Sequence, residues 1–208
     1  MKKLVALFWL IIFVPHIAEA SNFISVKLSR GVELQLPKGW WLLGAEHKQL
    51  IDMSAEAAMD LSGIGLPEGN EVNLIAANSM PRSTYAAVRV DSTTPVSGSP
   101  SEISNLTAAE LQAFQSEMHD GLNKLLPLQG NQLLAFFGVR RETISGHPVL
   151  TTEYRRSGPK GPVIVSVIEI FTPSQELRIN LSYRESEQAI WKPVIGKIRQ
   201  SITVRRWP

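Results

Sequence analysis

The sequence contains no cysteine, which removes disulfides, thiol catalysis and a lipid-modified N-terminal cysteine together. Histidine is nearly as scarce. His47, His119 and His147 stand far from one another, without the short paired spacing that zinc sites favour. No Walker A run, G-x-G-x-x-G, H-E-x-x-H or G-x-S-x-G elbow occurs, so phosphate-loop, dinucleotide, metalloprotease and hydrolase chemistry have no local carrier. His119 and Asp120 are neighbours on a helical segment, about 100° apart, which argues against an acid–base pair by local geometry. The chain reads as non-enzymatic, with no catalytic residues, no metal ligands and no cofactor.

An apolar run of membrane-spanning length is also missing. The longest is Leu4–Val14, eleven residues, where a span needs about 20. It follows Met1-Lys2-Lys3, is broken by Pro15-His16 and is succeeded by Ala18-Glu19-Ala20. A positive start, a short apolar core and a small-x-small site make a cleavable export signal over residues 1–20. Export to the periplasm is expected, with secretion as the alternative, and no stable membrane insertion after cleavage. The remaining 188 residues, 21–208, are read as one domain.

Charge of one sign is lacking too. The leader takes two Lys and one Glu, leaving 19 Lys and Arg against 18 Asp and Glu, a net charge of +1. Nucleic-acid binding needs a concentrated basic face, so nucleic acid is not an expected partner.

What is present is strand alternation. Phe23–Leu28 and Val32–Leu36 read as a hairpin turning at Arg30-Gly31. Val72–Ala77 and Tyr85–Val90 form a second strand pair. Val149–Arg156, Val163–Phe171 and Glu176–Arg184 read as an antiparallel meander, separated by Gly158–Pro162 and Thr172–Gln175. Leu177, Ile179, Leu181 and Tyr183 alternate with Arg178, Asn180, Ser182 and Arg184, one face for a core and one for water. Val163–Phe171 is apolar on both faces except at Ser166 and Glu169, as a central strand should be. Gln132–Phe137 and Val139–Ser145 are extended.

Three segments are helical in pattern. Glu46–Leu61 places Leu50, Met53, Ala57 and Leu61 on one face and Asp52, Glu56 and Asp60 on another, a solvated acidic stripe. Thr107-Ala108-Ala109-Glu110 is a capping box. It opens a helix with the stripe Leu111, Phe114, Met118, Leu122, Leu125, ended by Pro127. Glu187–Ser201 closes the chain, with Trp191, Val194 or Ile195, Ile198 and Ile202 on one face. Pro193 allows a regular start as late as Lys192. Asp91–Asn105 shows no periodicity and reads as a long polar loop.

The residues singled out for binding are Trp40, Trp41, Arg178 and Arg184. Adjacent tryptophans on extended chain point to opposite faces, so one anchors the core while its neighbour nears the surface. The doublets Arg140-Arg141 and Arg155-Arg156 split the same way. At most one Arg of each joins a patch, to which Arg178 and Arg184 are natural additions.

The corner Leu36-Pro37-Lys38-Gly39-Trp40, the segment Ile144–Arg156 and the ending Glu185–Ile202 resemble the PsbP/DcrB-like superfamily. Its members include photosystem extrinsic proteins and many small exported bacterial proteins. The resemblance implies an α+β fold with an antiparallel sheet flanked by helices, an α/β/α sandwich. It also implies non-enzymatic roles in binding, assembly or chaperoning. Metal ligands of its photosynthetic members are not matched here. The expected function is a protein-binding or assembly factor of the bacterial cell envelope, its partner an envelope protein. The alternatives are a small-ligand or metal-binding periplasmic module and an immunity-type inhibitor of a toxin.

Overall fold

The structure, a computed structural model, describes residues 22–43, 70–94, 96 and 98–205. The expected leader over residues 1–20, His47 and the Glu46–Leu61 segment, read as a helix with an acidic stripe, lie outside the described residues.

The alternating segments form strands where the pattern places them. They are β1 (Phe23–Lys27), β2 (Val32–Pro37), β3 (Trp41–Leu42), β4 (Asn70–Asn78) and β5 (Ala86–Thr94). After two helices come β6 (Leu133–Ile144), β7 (His147–Arg156), β8 (Val163–Phe171) and β9 (Glu176–Arg184). Seven strands make one antiparallel sheet in the order β3-β4-β5-β9-β8-β7-β6. The strand β8 is interior, as its two apolar faces require. Thr203–Val204 is β10, which with β1 and β2 makes a separate three-stranded sheet. The β1–β2 turn needs positive φ at Arg30 (64°) and Gly31 (75°), a conformation glycine adopts without a Cβ penalty.

Period-two alternation gives the long sheet two dissimilar faces. On one, Leu177, Ile179 and Leu181 of β9, Val88 and Val90 of β5, and Ile168 and Ile170 of β8 meet two covering elements. These are β2, through Val32, Leu34 and Leu36, and the last helix, through Trp191, Ile195 and Ile198. That helix is α3, Gln188–Gln200. Each fully buried aliphatic side chain here stabilises the fold by about 1.5–3 kcal/mol relative to exposure. The other face is covered over β6–β8 by α1 (Pro100–Asn105) and α2 (Ala108–Leu128). Leu122 and Leu126 pack on Tyr154, Val163 and Val165, and Ile103 packs with Val139, Leu150 and Phe171. Helices on both faces of an antiparallel sheet make the fold an α/β/α sandwich.

The segment Asp91–Asn105 is not a loop throughout. The strand β5 runs on to Thr94, and Pro100–Asn105 is helical. Ser99 Oγ accepts from Glu102 N at 3.2 Å while Glu102 Oε2 accepts from Ser99 N at 2.6 Å. This is a second capping box, with Pro100 at the first helical position. A six-residue helix is too short to show a period of 3.6, and the segment read as loop for that reason.

The Thr107 box forms as expected, Thr107 Oγ1 accepting from Glu110 N at 3.2 Å. The inward residue near the end of α2 is Leu126, not Leu125, and Pro127 lies inside the last turn. Proline there forgoes one hydrogen bond. The stop comes at Gly130, whose φ is 70°, while Asn131 N returns to Leu126 O at 2.9 Å. Likewise α3 begins at Gln188, upstream of Pro193.

Candidate functional site

One end of the long sheet gathers the features that set it apart. There β4 and β5 are joined by a tight turn closed by Ser79 N to Ala86 O at 2.8 Å, Ala86 N to Ser79 Oγ at 2.8 Å, and Thr84 Oγ1 to Pro81 O at 2.8 Å. The turn carries Met80 to one side and Arg82 to the other, and a hollow lies on each.

On the Met80 side is a groove of about 460 Å³, lined by Trp40, Trp191, Phe23, Met80, Lys38 and Lys197 among others. Trp40 meets Trp191 edge to face, ring centroids 5.8 Å apart at 79°, a favoured arrangement for two aromatic quadrupoles. Lys197 Nζ lies 4.2 Å from the centre of the Phe23 ring. Met80 and Ile190, the neighbour of Trp191, are exposed. Trp41 faces away, half-buried, with the Arg82 guanidinium 4.4 Å over its ring. The two tryptophans divide as extended backbone demands.

On the Arg82 side is a pocket of about 280 Å³, lined by Arg82, Arg156, Lys160 and Arg184, with Thr84 and Tyr85. Cross-strand register builds it. Arg156 pairs with Val163, and Val163 with Arg184, so the two arginines stand on one face, two strands apart. The Gly158–Gly161 turn brings Lys160 over them. At Gly158 an added Cβ would lie 3.0 Å from Gly161 O and 3.1 Å from Val163 Cγ2, so the turn closes this tightly only on glycine. Arg155 points the other way, to Glu185 at 3.2 Å. The doublet splits as expected.

Glu187 joins the two hollows. Its Oε2 accepts from Trp191 Nε1 at 3.1 Å and from Tyr85 N at 2.8 Å, and its Oε1 takes Arg184 Nη1. Sequence reading had no signal for Glu187, Arg82 or Lys160 at a site, because a turn residue's neighbours are set by the strands it connects.

No family model and no curated protein matches the sequence. Among solved structures, the chain is similar to CyanoP, the cyanobacterial PsbP of Synechocystis sp. PCC 6803. The TM-score is 0.50 at 13% identity, over 88% of this chain and 93% of that one. The fold is PsbP-like. Weaker likenesses are to PA94 of Pseudomonas aeruginosa, a protein of unknown function, with TM-score 0.41, 14% identity and 90% and 100% of the two chains covered. LpqN of Mycobacterium tuberculosis, involved in cell envelope biogenesis, has TM-score 0.48, 14% identity and coverages of 88% and 91%.

Within this PsbP-like fold Arg178 and Arg184 share a strand face but not a patch. Arg178 lies toward the far end of β9, where its Nε is 3.5 Å from Glu169 Oε1 and its Nη2 3.8 Å from Glu176 Oε1. Burial raises the Glu169 carboxyl above its ordinary value, outweighing Arg178. The four residues singled out in the sequence therefore divide among a groove, a stacked pair, a pocket and an ion cluster.

The other doublet also splits. Arg141 Nη1 donates to Ser104 O and Leu106 O, both at 2.8 Å, a cation at the C-terminal end of α1. Arg140 lies on the opposite face with Glu153 at 2.7 Å and Glu142 at 2.9 Å, and Arg199 reaches both Glu142 oxygens at 2.6 and 2.7 Å. The hydrogen bond from Arg140 holds the Glu153 carboxyl below its ordinary value. His119 Nδ1 comes within 3.5 Å of Asp120 Oδ1, because side-chain torsions bridge an angle the backbone alone would keep open. Both groups are largely exposed. Among the described residues no group of three or more His, Cys, Asp and Glu is placed to hold a metal, and no helix is long and apolar enough to cross a membrane.

Proposed function

We propose that the protein is an exported, non-enzymatic binding factor of the bacterial cell envelope, acting in the periplasm. Its groove holds an extended segment of an envelope protein. The observation that carries this reading is the Trp40–Trp191 edge-to-face pair forming the wall of an open groove. Aromatic side chains in a concave site offer large contact area at small entropy cost, and such groups dominate protein interfaces. Lys38 and Lys197 at its margin select a segment whose apolar anchor is flanked by acidic residues, by charge complementarity. The export signal expected over residues 1–20 supports the compartment.

The test is a photo-crosslinking residue at Met80, which is exposed in the groove, followed by mass spectrometry of the captured protein. One envelope protein, crosslinked through Met80 and lost with Trp40→Ala, is the expected result. No capture at Met80, or capture indifferent to Trp40→Ala, overturns the reading.

A further inference from the structure

The pocket beyond Arg82 presents a second chemistry, cationic where the groove is aromatic. Arg82, Arg156, Lys160 and Arg184 line it, and among the described residues that line it none is acidic. Like charges held together raise each other's energy, so four cations around one hollow need an account.

Surface salt bridging does not supply it. Among the described residues only Arg184 of the four has a carboxylate, Glu187. Arg82 has the Trp41 ring, and Arg156 donates from Nη1 to two neutral oxygens, Asn131 Oδ1 and Ser157 O, each at 2.9 Å. Those bonds orient the Arg156 guanidinium without neutralising it. Arg184 is oriented in the same way by Ser83 O at 3.2 Å. Its bonds also leave from Nη1, so the Nη2 and Nε donors of both guanidiniums have no partner among the described residues.

We propose that this pocket binds a phosphate-class anion, the phosphoryl group of a soluble phosphate ester or of a lipid headgroup. Guanidinium forks match tetrahedral oxyanions bidentately, and Lys adds a mobile point charge. A volume of about 280 Å³ accommodates a phosphoryl group or a pyrophosphate. Tyr85 and Val163 on its wall give the ligand's remainder an apolar surface.

The experiment titrates the purified protein with inorganic pyrophosphate by calorimetry. In parallel, it measures co-sedimentation with phosphatidylglycerol vesicles, using phosphatidylcholine vesicles as control. Binding in the first arm names a soluble ligand, and binding only to the anionic vesicles names a lipid. Arg82→Gln with Lys160→Gln, both exposed, weakens the observed binding by about tenfold or more, as expected when charge-assisted contacts are lost. Glu187→Gln acts in the opposite direction. It keeps an acceptor for Trp191 and Tyr85 while releasing Arg184, and strengthens binding about threefold, the scale of one partly screened charge. No binding in either arm overturns the proposal. So does binding that the double variant leaves unchanged, or that Glu187→Gln weakens.

Discussion

Glu187 Oε2 accepts the indole N–H of Trp191 at 3.1 Å one turn further along the chain, and this bond fixes the Trp191 ring against Trp40. The same carboxylate takes the backbone N–H of Tyr85 and the guanidinium of Arg184. Removing it leaves several donors short of an acceptor at one point. Glu187→Ala is expected to destabilise the protein by about 2–4 kcal/mol, the range for orphaning two or more partly buried donors. Glu187→Gln is expected to cost less than half as much. Urea unfolding of both variants checks this, and equal losses would show that the acceptor oxygen is not what matters.

The two tryptophans of the groove should separate in their effects. Trp191 is buried at 7% exposure, and Trp191→Ala is expected to cost about 3–5 kcal/mol through the cavity it leaves. Trp40 is half-buried and loses one aromatic contact, so Trp40→Ala is expected to cost about 1–2 kcal/mol. The protein then stays folded while capture through the groove disappears. A Trp40→Ala protein as unstable as Trp191→Ala would make Trp40 a core residue only.

Stability against pH has two opposed contributions. Burial places the folded-state Glu169 carboxyl above the unfolded value of 4.5. Its contribution is therefore fully present below that value and is lost as pH rises through the folded one. Glu153, held below 4.5 by Arg140, works the other way: its contribution is present above 4.5 and lost as pH falls through the folded value. Relative to the parent, Glu169→Gln should gain Tm as pH is raised from about 4 to 8, while Glu153→Gln should lose it. Differences in Tm that do not change with pH would refute both assignments.

Arg141 holds the end of α1 by its carbonyls. Arg141→Ala should raise amide exchange in 100–106 well above that of α2 and cost about 1 kcal/mol. Unchanged exchange in α1 would mean that Ser99 and Ile103 suffice to hold it.

Much of the fold was legible because it is written in local period and punctuation. The strands β7, β8 and β9 end within two residues of where alternation and the Gly-Pro turns place them. Thr107 caps α2 through the side chain its spacing to Glu110 implies. The helix α1 carried the same signature at Ser99 and Glu102, but six residues hold too little period to be seen. The strand β10 was invisible for a related reason: two residues have no alternation, and only β2 makes Thr203–Val204 a strand.

The candidate site divides along the same line. Alternation alone determined that Trp40 and Trp41 face apart, that Arg155 and Arg156 do, and that Arg178 shares a face with Arg184. Tertiary structure decided which members meet. Register across β7, β8 and β9 sets Arg156 beside Arg184 and leaves Arg178 in an ion cluster toward the strand's far end. Two turns, distant in sequence, deliver Arg82 and Lys160, and Glu187 ties both hollows together. Period fixes direction within a strand, whereas proximity between strands depends on pairing and turn closure, which are properties of the whole sheet.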